Sequence, residues 1–498
     1  LLFNTKFQRL LFYYMFFRII VSSCFYSVVF IIMFIKMFDD TVGAKLRLAK
    51  GTILYNILQH EMPGARLSVY IFNITNGDRF LTGEDYKLKV EEVGPFVFQE
   101  YRWYEDLQIG EDGKTLGMTP KIRSEFVPEA SIGHPKDINL TLPNLPFLSA
   151  VSVLSNYPSF IHYAFNIMAA QIGAKPTMNM DVHSYLWGYK NPLVVLCNSL
   201  VPGLVNFENF GLLDRLYDNE SDYRIVVGAT NQDRFKIKSV KKVMVITFEE
   251  DTYEGGAYPP MLTPDVPLNL YHMGICKTWQ LEYIGSRIME YGGEALVYTV
   301  SNKTFINNIN PITLKTYPDG LMDIDKCYYG LPFVISKAHF LDSDPKVLER
   351  IDGLNPDRKE HVNEIIIDRK ASVTFDTKLS MQLSIMLDDL SFNRGTKMIS
   401  NSVIPVIHVK LVSYVPIDTG SEASSSSGYT SPLLPHPASA CSLSQIVIPP
   451  GQRASYTTFA ESRSPLKNTF TPAVVGSSRD MASPLPLQLA NYGWKPIY

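Results

Sequence analysis

Charge, cysteine and catalytic signatures are all scarce in this sequence. Charged residues fill 19% of its 498 positions, below the roughly 25% usual for soluble domains, which argues against a charge-rich disordered chain. Acidic and basic residues nearly cancel, at 49 against 46, so no net field draws the chain toward nucleic acid. Five cysteines are too few for a dense disulfide scaffold, yet they leave room for one or two bridges. G-x-S-x-G, H-E-x-x-H, Walker A and dinucleotide-binding glycine patterns are absent, and with them the local marks of most nucleophilic, zinc and nucleotide chemistry. The expectation is that the protein is not an enzyme and needs no cofactor. His339 near Cys327 lacks a C-x-x-C or H-x-x-x-H partner and reads as a structural histidine, with no metal.

Long hydrophobic runs are also rare, and one stands out. Residues 10–35 carry a single charge, Arg18, and as a helix would cover about 39 Å against a hydrocarbon core of about 30 Å. The run is long and no small-residue cleavage site follows, so it reads as an uncleaved anchor rather than a signal peptide. Lysines and arginines flank it on both sides and do not orient it. Four glycosylation sequons, at Asn73, Asn139, Asn219 and Asn302, lie beyond it and place the body in the lumen or outside the cell. The expected order is a short cytoplasmic tail over 1–9, the transmembrane helix over 10–35, a glycosylated ectodomain over 36–415 and a Ser/Pro/Ala-rich, structureless tail over 416–498.

Within the body, alternating aromatic and β-branched residues predict strands over 66–75, ended by a turn at Asn76-Gly77, and over 90–103, bent at Gly94-Pro95. The apolar stretch 145–174 suggests two helices broken at Pro158, serving either as packed core or as a surface hydrophobic platform. Lys236, Lys238, Lys241 and Lys242 form either a solvated strand face or an anionic-ligand patch. Cys24 lies in the anchor and Cys441 in the tail. Of the other three, Cys276 and Cys327 enclose a loop that a bridge could restrain, and Cys197 sits in an apolar run as a buried thiol would.

The segments EEVGPFVFQEYR (91–102), LWGYKNP (186–192), GLPFVISKAHFLDSDPKVLERIDGLNPDRKEH (330–361) and KLSMQL (378–383), in this order after a membrane anchor, resemble the class B scavenger receptor family. That family includes lysosomal integral membrane and insect sensory-neuron membrane proteins, and the likeness covers about residues 10–415. It implies an α+β fold: a large irregular antiparallel β-barrel ectodomain with an apical helical bundle and an apolar tunnel, held by an N-terminal transmembrane helix. It pairs Cys276 with Cys327 and gives stretch 145–174 to the apex, with Lys175, Lys236 and Lys238 as contacts for acidic headgroups. The implied function is a scavenger-type cell-surface receptor that binds lipids, lipoproteins or anionic phospholipid surfaces, including those of apoptotic cells, and aids lipid uptake or transfer. Alternatives are a lysosomal sorting or adhesion receptor for a protein partner, and a truncated non-functional isoform. The expected site is the plasma membrane, with the lysosomal membrane as alternative, and homo-oligomers stay open. The family crosses the membrane twice; nothing after Ile417 has 18 or more apolar residues, so a single pass is expected here.

Overall fold

The computed structural model describes residues 47–195, 209–217, 223–241, 251–290, 292–306, 308–309, 315–328 and 330–414, with Phe30 and Met33. The expected anchor (apart from those two helical, exposed residues), the tail beyond 415, Cys24, Cys197, Cys441, Asn219 and Lys242 lie outside the described residues. No described helix is long and apolar enough to cross a membrane. The chain divides into units Leu1–Pro437 and Ala438–Tyr498, and every described residue belongs to the first.

One large sheet organises the body. Its main path runs through Thr252–Tyr253, Leu268–His272, Lys277–Ile288, Glu294–Val300, Glu364–Asp368, Thr374–Met386, Val403–Tyr414, Met62–Ile74, Leu88–Ile109, Thr115–Phe126, Arg224–Gly228 and Ile237–Lys241. Pairing along it is antiparallel except between Thr252–Tyr253 and Leu268–His272. An isolated antiparallel bridge, Lys236 to Tyr253, and the bond from the Glu254 N–H to the Phe235 carbonyl bring the two ends of the path together. The result is a nearly closed, barrel-like sheet, and closure protects the edges that an open sheet would expose.

Alternation decides which side of the sheet is dry. Leu67, Val69 and Ile71 face the apolar core together with Phe96, Phe98, Leu379, Met381, Leu383 and Ile407, all buried. The opposite face of the same strands carries Tyr70, Phe72, Ser380, Gln382, Ser384 and His408. It is also largely buried, because the segment 338–363 lies over it and bonds to it. Gly353 turns this segment at φ +99°, and a Cβ there would stand 1.8 Å from the Val90 carbonyl oxygen, so only glycine fits.

Both anticipated strands form, longer than expected, as Met62–Ile74 and Leu88–Ile109. Asn76-Gly77 does not make a tight hairpin turn. Asn76 stands at the N-cap position of the short helix Gly77–Thr82 without a side-chain capping bond, and its amide instead donates to Asp85 and the Lys87 carbonyl. A second apolar cluster packs Leu54, Tyr55 and Leu58 of helix Ile53–Gln59 with Leu116, Met118, Ile225 and Val227 of the sheet.

Candidate functional site

The stretch 145–174 forms two helices, Leu145–Leu154 and Ser159–Gln171, with Pro158 as the N-cap of the second. Proline before the first turn is favourable there because its missing N–H would have had no intrahelical partner. The two helices resolve the choice between core and platform by dividing it. Seven of the ten residues of the first are buried, from Leu145 to Ser152, whereas the second buries only Phe165 and Ala169, one turn apart.

Polar and ring contacts fix the pair and dock it onto the connection between strands Thr374–Met386 and Val403–Tyr414. Asn144 donates to the Lys175 carbonyl, and Ser152 donates to Asp388 at 3.4 Å. Asn166 donates to the Phe392 carbonyl, and the His162 ring stacks on Phe392 with centroids 3.9 Å apart. With Phe165 and Ala169 turned inward, the outward face of the second helix presents Phe160, Tyr163 and Ile167, exposed by 69, 70 and 43%. Val153 in the first helix and Tyr157 in the turn between the two are also exposed, at 39 and 37%. Spacing of three and four residues puts the three helical side chains on one stripe. Contiguous exposed apolar surface of this kind marks a contact site, and aromatic side chains with polar tips suit a boundary between lipid and water.

The three candidate lysines are placed differently. Lys175 is exposed just after the second helix and has no ion pair among the described residues. Lys236 and Lys238 stand at the sheet edge, where Asp251 and Asp233 hold their ammonium groups at 2.9 and 2.8 Å. Cys276 and Cys327 are joined by a disulfide with Cα atoms 5.6 Å apart; closing a loop of this length stabilises by about 4 kcal/mol on the chain-entropy model. Asn139 and Asn302 are exposed, and Asn73 is half-buried with its Oδ1 accepting from the Thr141 N–H.

Sequence reading missed a buried polar cluster on the overlaid face of the sheet. Glu92 Oε1 accepts from His408 Nδ1 at 2.6 Å and from His339 Nε2 at 3.2 Å. His361 stacks on His339 with centroids 4.5 Å apart. Burial works against the Glu92 carboxylate, but the hydrogen bonds and charges of His339 and His408 outweigh it and hold the group down to about 2. One nitrogen from each of His339, His361 and His408 falls within a 4.8 Å group, close enough to suggest a metal. The remaining hydrogen bonds argue otherwise. His339 Nδ1 accepts from the Asn355 N–H at 3.0 Å, and His361 Nδ1 accepts from the Asp357 N–H at 3.2 Å. Both neutral rings therefore carry their proton on Nε2, the nitrogen a metal would need bare. The residues fit a proton-sharing network better than a metal centre.

A model of the CD36 family matches residues 17–427. The chain belongs to the CD36 family. It is 25% identical to scavenger receptor class B member 1 of Bos taurus over 396 residues, covering 76% of this chain and 77% of the relative. It is equally similar, at 25% over 390 residues, to lysosome membrane protein 2 of Mus musculus, with 76% and 80% covered. Lysosome membrane protein 2 of Homo sapiens is 24% identical over 410 residues, covering 79% and 84%. The CD36 match includes the sheet, the disulfide and the helical pair.

Proposed function

We propose that this CD36-family protein is a membrane-held scavenger-type receptor whose helical tip docks on the surface of lipoproteins or anionic phospholipid membranes and aids the uptake or transfer of their lipid. The observation that carries the reading is the uncovered stripe of Phe160, Tyr163 and Ile167. Fully burying one Phe or Ile side chain is worth roughly 1.5–3 kcal/mol, so even partial insertion of three competes with the cost of docking. Lys175, exposed at the base of the same helix, supplies a cation for acidic headgroups. The apolar passage implied by the family resemblance belongs to the same proposal, since transfer along it would need no nucleophile.

The test compares full-length native protein with Phe160→Asp/Tyr163→Asp on the cell surface, at matched expression. Uptake of fluorescent lipoprotein is expected to fall at least about tenfold, since two side chains of this size carry more than 1.4 kcal/mol between them. Unchanged binding and uptake would overturn the reading. The relatives named lysosome membrane protein 2 support a second reading, a sorting receptor with a protein partner. Retained capture of a protein ligand with no extraction of lipid would favour it.

A further inference from the structure

The histidine cluster has a second layer that faces outward. The loop 354–361 is anchored where two imidazoles accept its backbone N–H groups, Asn355 on His339 Nδ1 and Asp357 on His361 Nδ1. Asn355, Pro356, Arg358, Lys359 and Glu360 are exposed, whereas His361 and His339 are 6 and 4% exposed. The bonds that close the loop thus run through titratable acceptors. An imidazole accepts at Nδ1 only while neutral; once protonated, both of its nitrogens donate. Protonation of His361 would set an imidazolium N–H against the Asp357 backbone N–H, replacing a hydrogen bond by a repulsion.

We infer that the 354–361 loop is a proton-released latch, held at neutral pH by the acceptor nitrogens of His339 and His361 and freed when His361 takes up a proton.

The groups around the latch favour release over simple accommodation of the proton. His339 packs edge-on to His408 and face-on to His361, and His361 packs edge-on to His408, with centroids between 4.5 and 5.4 Å. Glu92 is the one carboxylate hydrogen-bonded to the cluster among the described residues, and its Oε1 already accepts from both His339 and His408. Tyr70 stacks on His408, Lys410 lies over Tyr70, and Glu360 adds negative charge toward Tyr70 from the loop itself. Ser380 and Gln382 fill the sheet side, bonding His408 Nε2 and the His339 N–H. Burial, with His339, His408 and Lys410 nearby, pushes His361 down to about 4, and burial pushes His408 down as well. A histidine held below its unfolded value of 6.5 weakens the closed state as pH falls from 6.5 toward 4. Outside the cluster, Arg358 pairs with Asp342, which also holds Lys337. The arginine is 74% exposed, and a pair so exposed restrains a loop weakly.

The test is hydrogen–deuterium exchange on the full chain in nanodiscs between pH 7.5 and 5, corrected for intrinsic exchange. Protection over residues 352–362 should fall about tenfold per pH unit below 6.5 for each proton taken up, while strand Glu294–Val300 holds its own. In His339→Asn/His361→Asn the amide oxygens take the acceptor places without titrating, so protection should lose most of its dependence on pH, leaving only the part that His408 contributes. If that pair fails to fold, the native chain and His361→Asn alone decide by the same readout. Native protection that persists to pH 5, or equal acid release in the variants, overturns the latch. So does stoichiometric binding of zinc at pH 7.5 by calorimetry, because it would require the opposite tautomers.

Discussion

Glu92 and His408, 316 residues apart, meet through a 2.6 Å hydrogen bond from the imidazole Nδ1 to the carboxylate. The two strands that carry them are separated in the sheet by Met62–Ile74, and the pair spans that strand on its overlaid face. A carboxylate that receives two N–H donors in a water-poor seam is worth more than a surface ion pair and is costly to remove.

Glu92→Gln should therefore destabilise the fold by about 2–3 kcal/mol at pH 7. The carboxyl is held at about 2 against its ordinary 4.5. Its contribution is complete above pH 4.5 and is lost as pH falls toward 2. The gap between variant and native protein should accordingly close between pH 4.5 and 2 in denaturant titrations. A gap of constant size across that range would mean that the substituted amide disturbs packing rather than charge.

His272 offers the opposite case, a half-buried histidine whose Nδ1 finds no partner. Its Nδ1 is buried without a hydrogen-bond partner, its ring lies 5.1 Å from Trp279, and burial pushes it down to about 4, with Arg102 adding to the effect. His272→Phe should be neutral or stabilising by about 1 kcal/mol at pH 7. Because the native ring opposes folding progressively from pH 6.5 to 4, the variant's advantage should grow over that window. Melting temperatures at pH 7 and 5 check this, and an advantage that shrinks at pH 5 would contradict it.

The sequence showed most clearly what local periodicity encodes. The helical pair split at Pro158 was legible because a proline break in a long apolar run has few outcomes, and the strands over 66–75 and 90–103 were legible from their alternation. Which helix is buried was not legible, since both are apolar and only the tertiary partners Phe392, Asn393 and Asp388 decide it. The Cys276–Cys327 pairing came from family likeness and is present in the fold. The Glu92–His408–His339–His361 cluster carried no local signal. His339 has no ligand-type partner close to it in sequence, and the groups it meets come from strands and loops far along the chain. The unusual trace was the polar residues Ser380, Gln382 and Ser384 alternating with apolar ones inside a strand buried on both faces. A face that is polar and yet covered needs another segment over it, and His408 stands on the neighbouring strand opposite Gln382.

Two of the four sequons should be tested first, because their placement is favourable. Asn139 opens strand Asn139–Pro143 and Asn302 opens a single 3-10 turn; both are exposed. The Asn302 Oδ1 is held by Lys337 Nζ, which fixes the amide without covering it, so a glycan on Nδ2 projects into solvent. If the body occupies the lumen, Asn139→Gln and Asn302→Gln should each remove one glycan and increase the mobility of the chain by one step on a gel. The double variant should lose two steps and keep its fold, since neither side chain packs in the core. Full-size chains that never shift with glycosidase would place the body on the cytoplasmic side of the membrane, and with it the exposed Phe160–Tyr163 stripe, away from any extracellular lipoprotein.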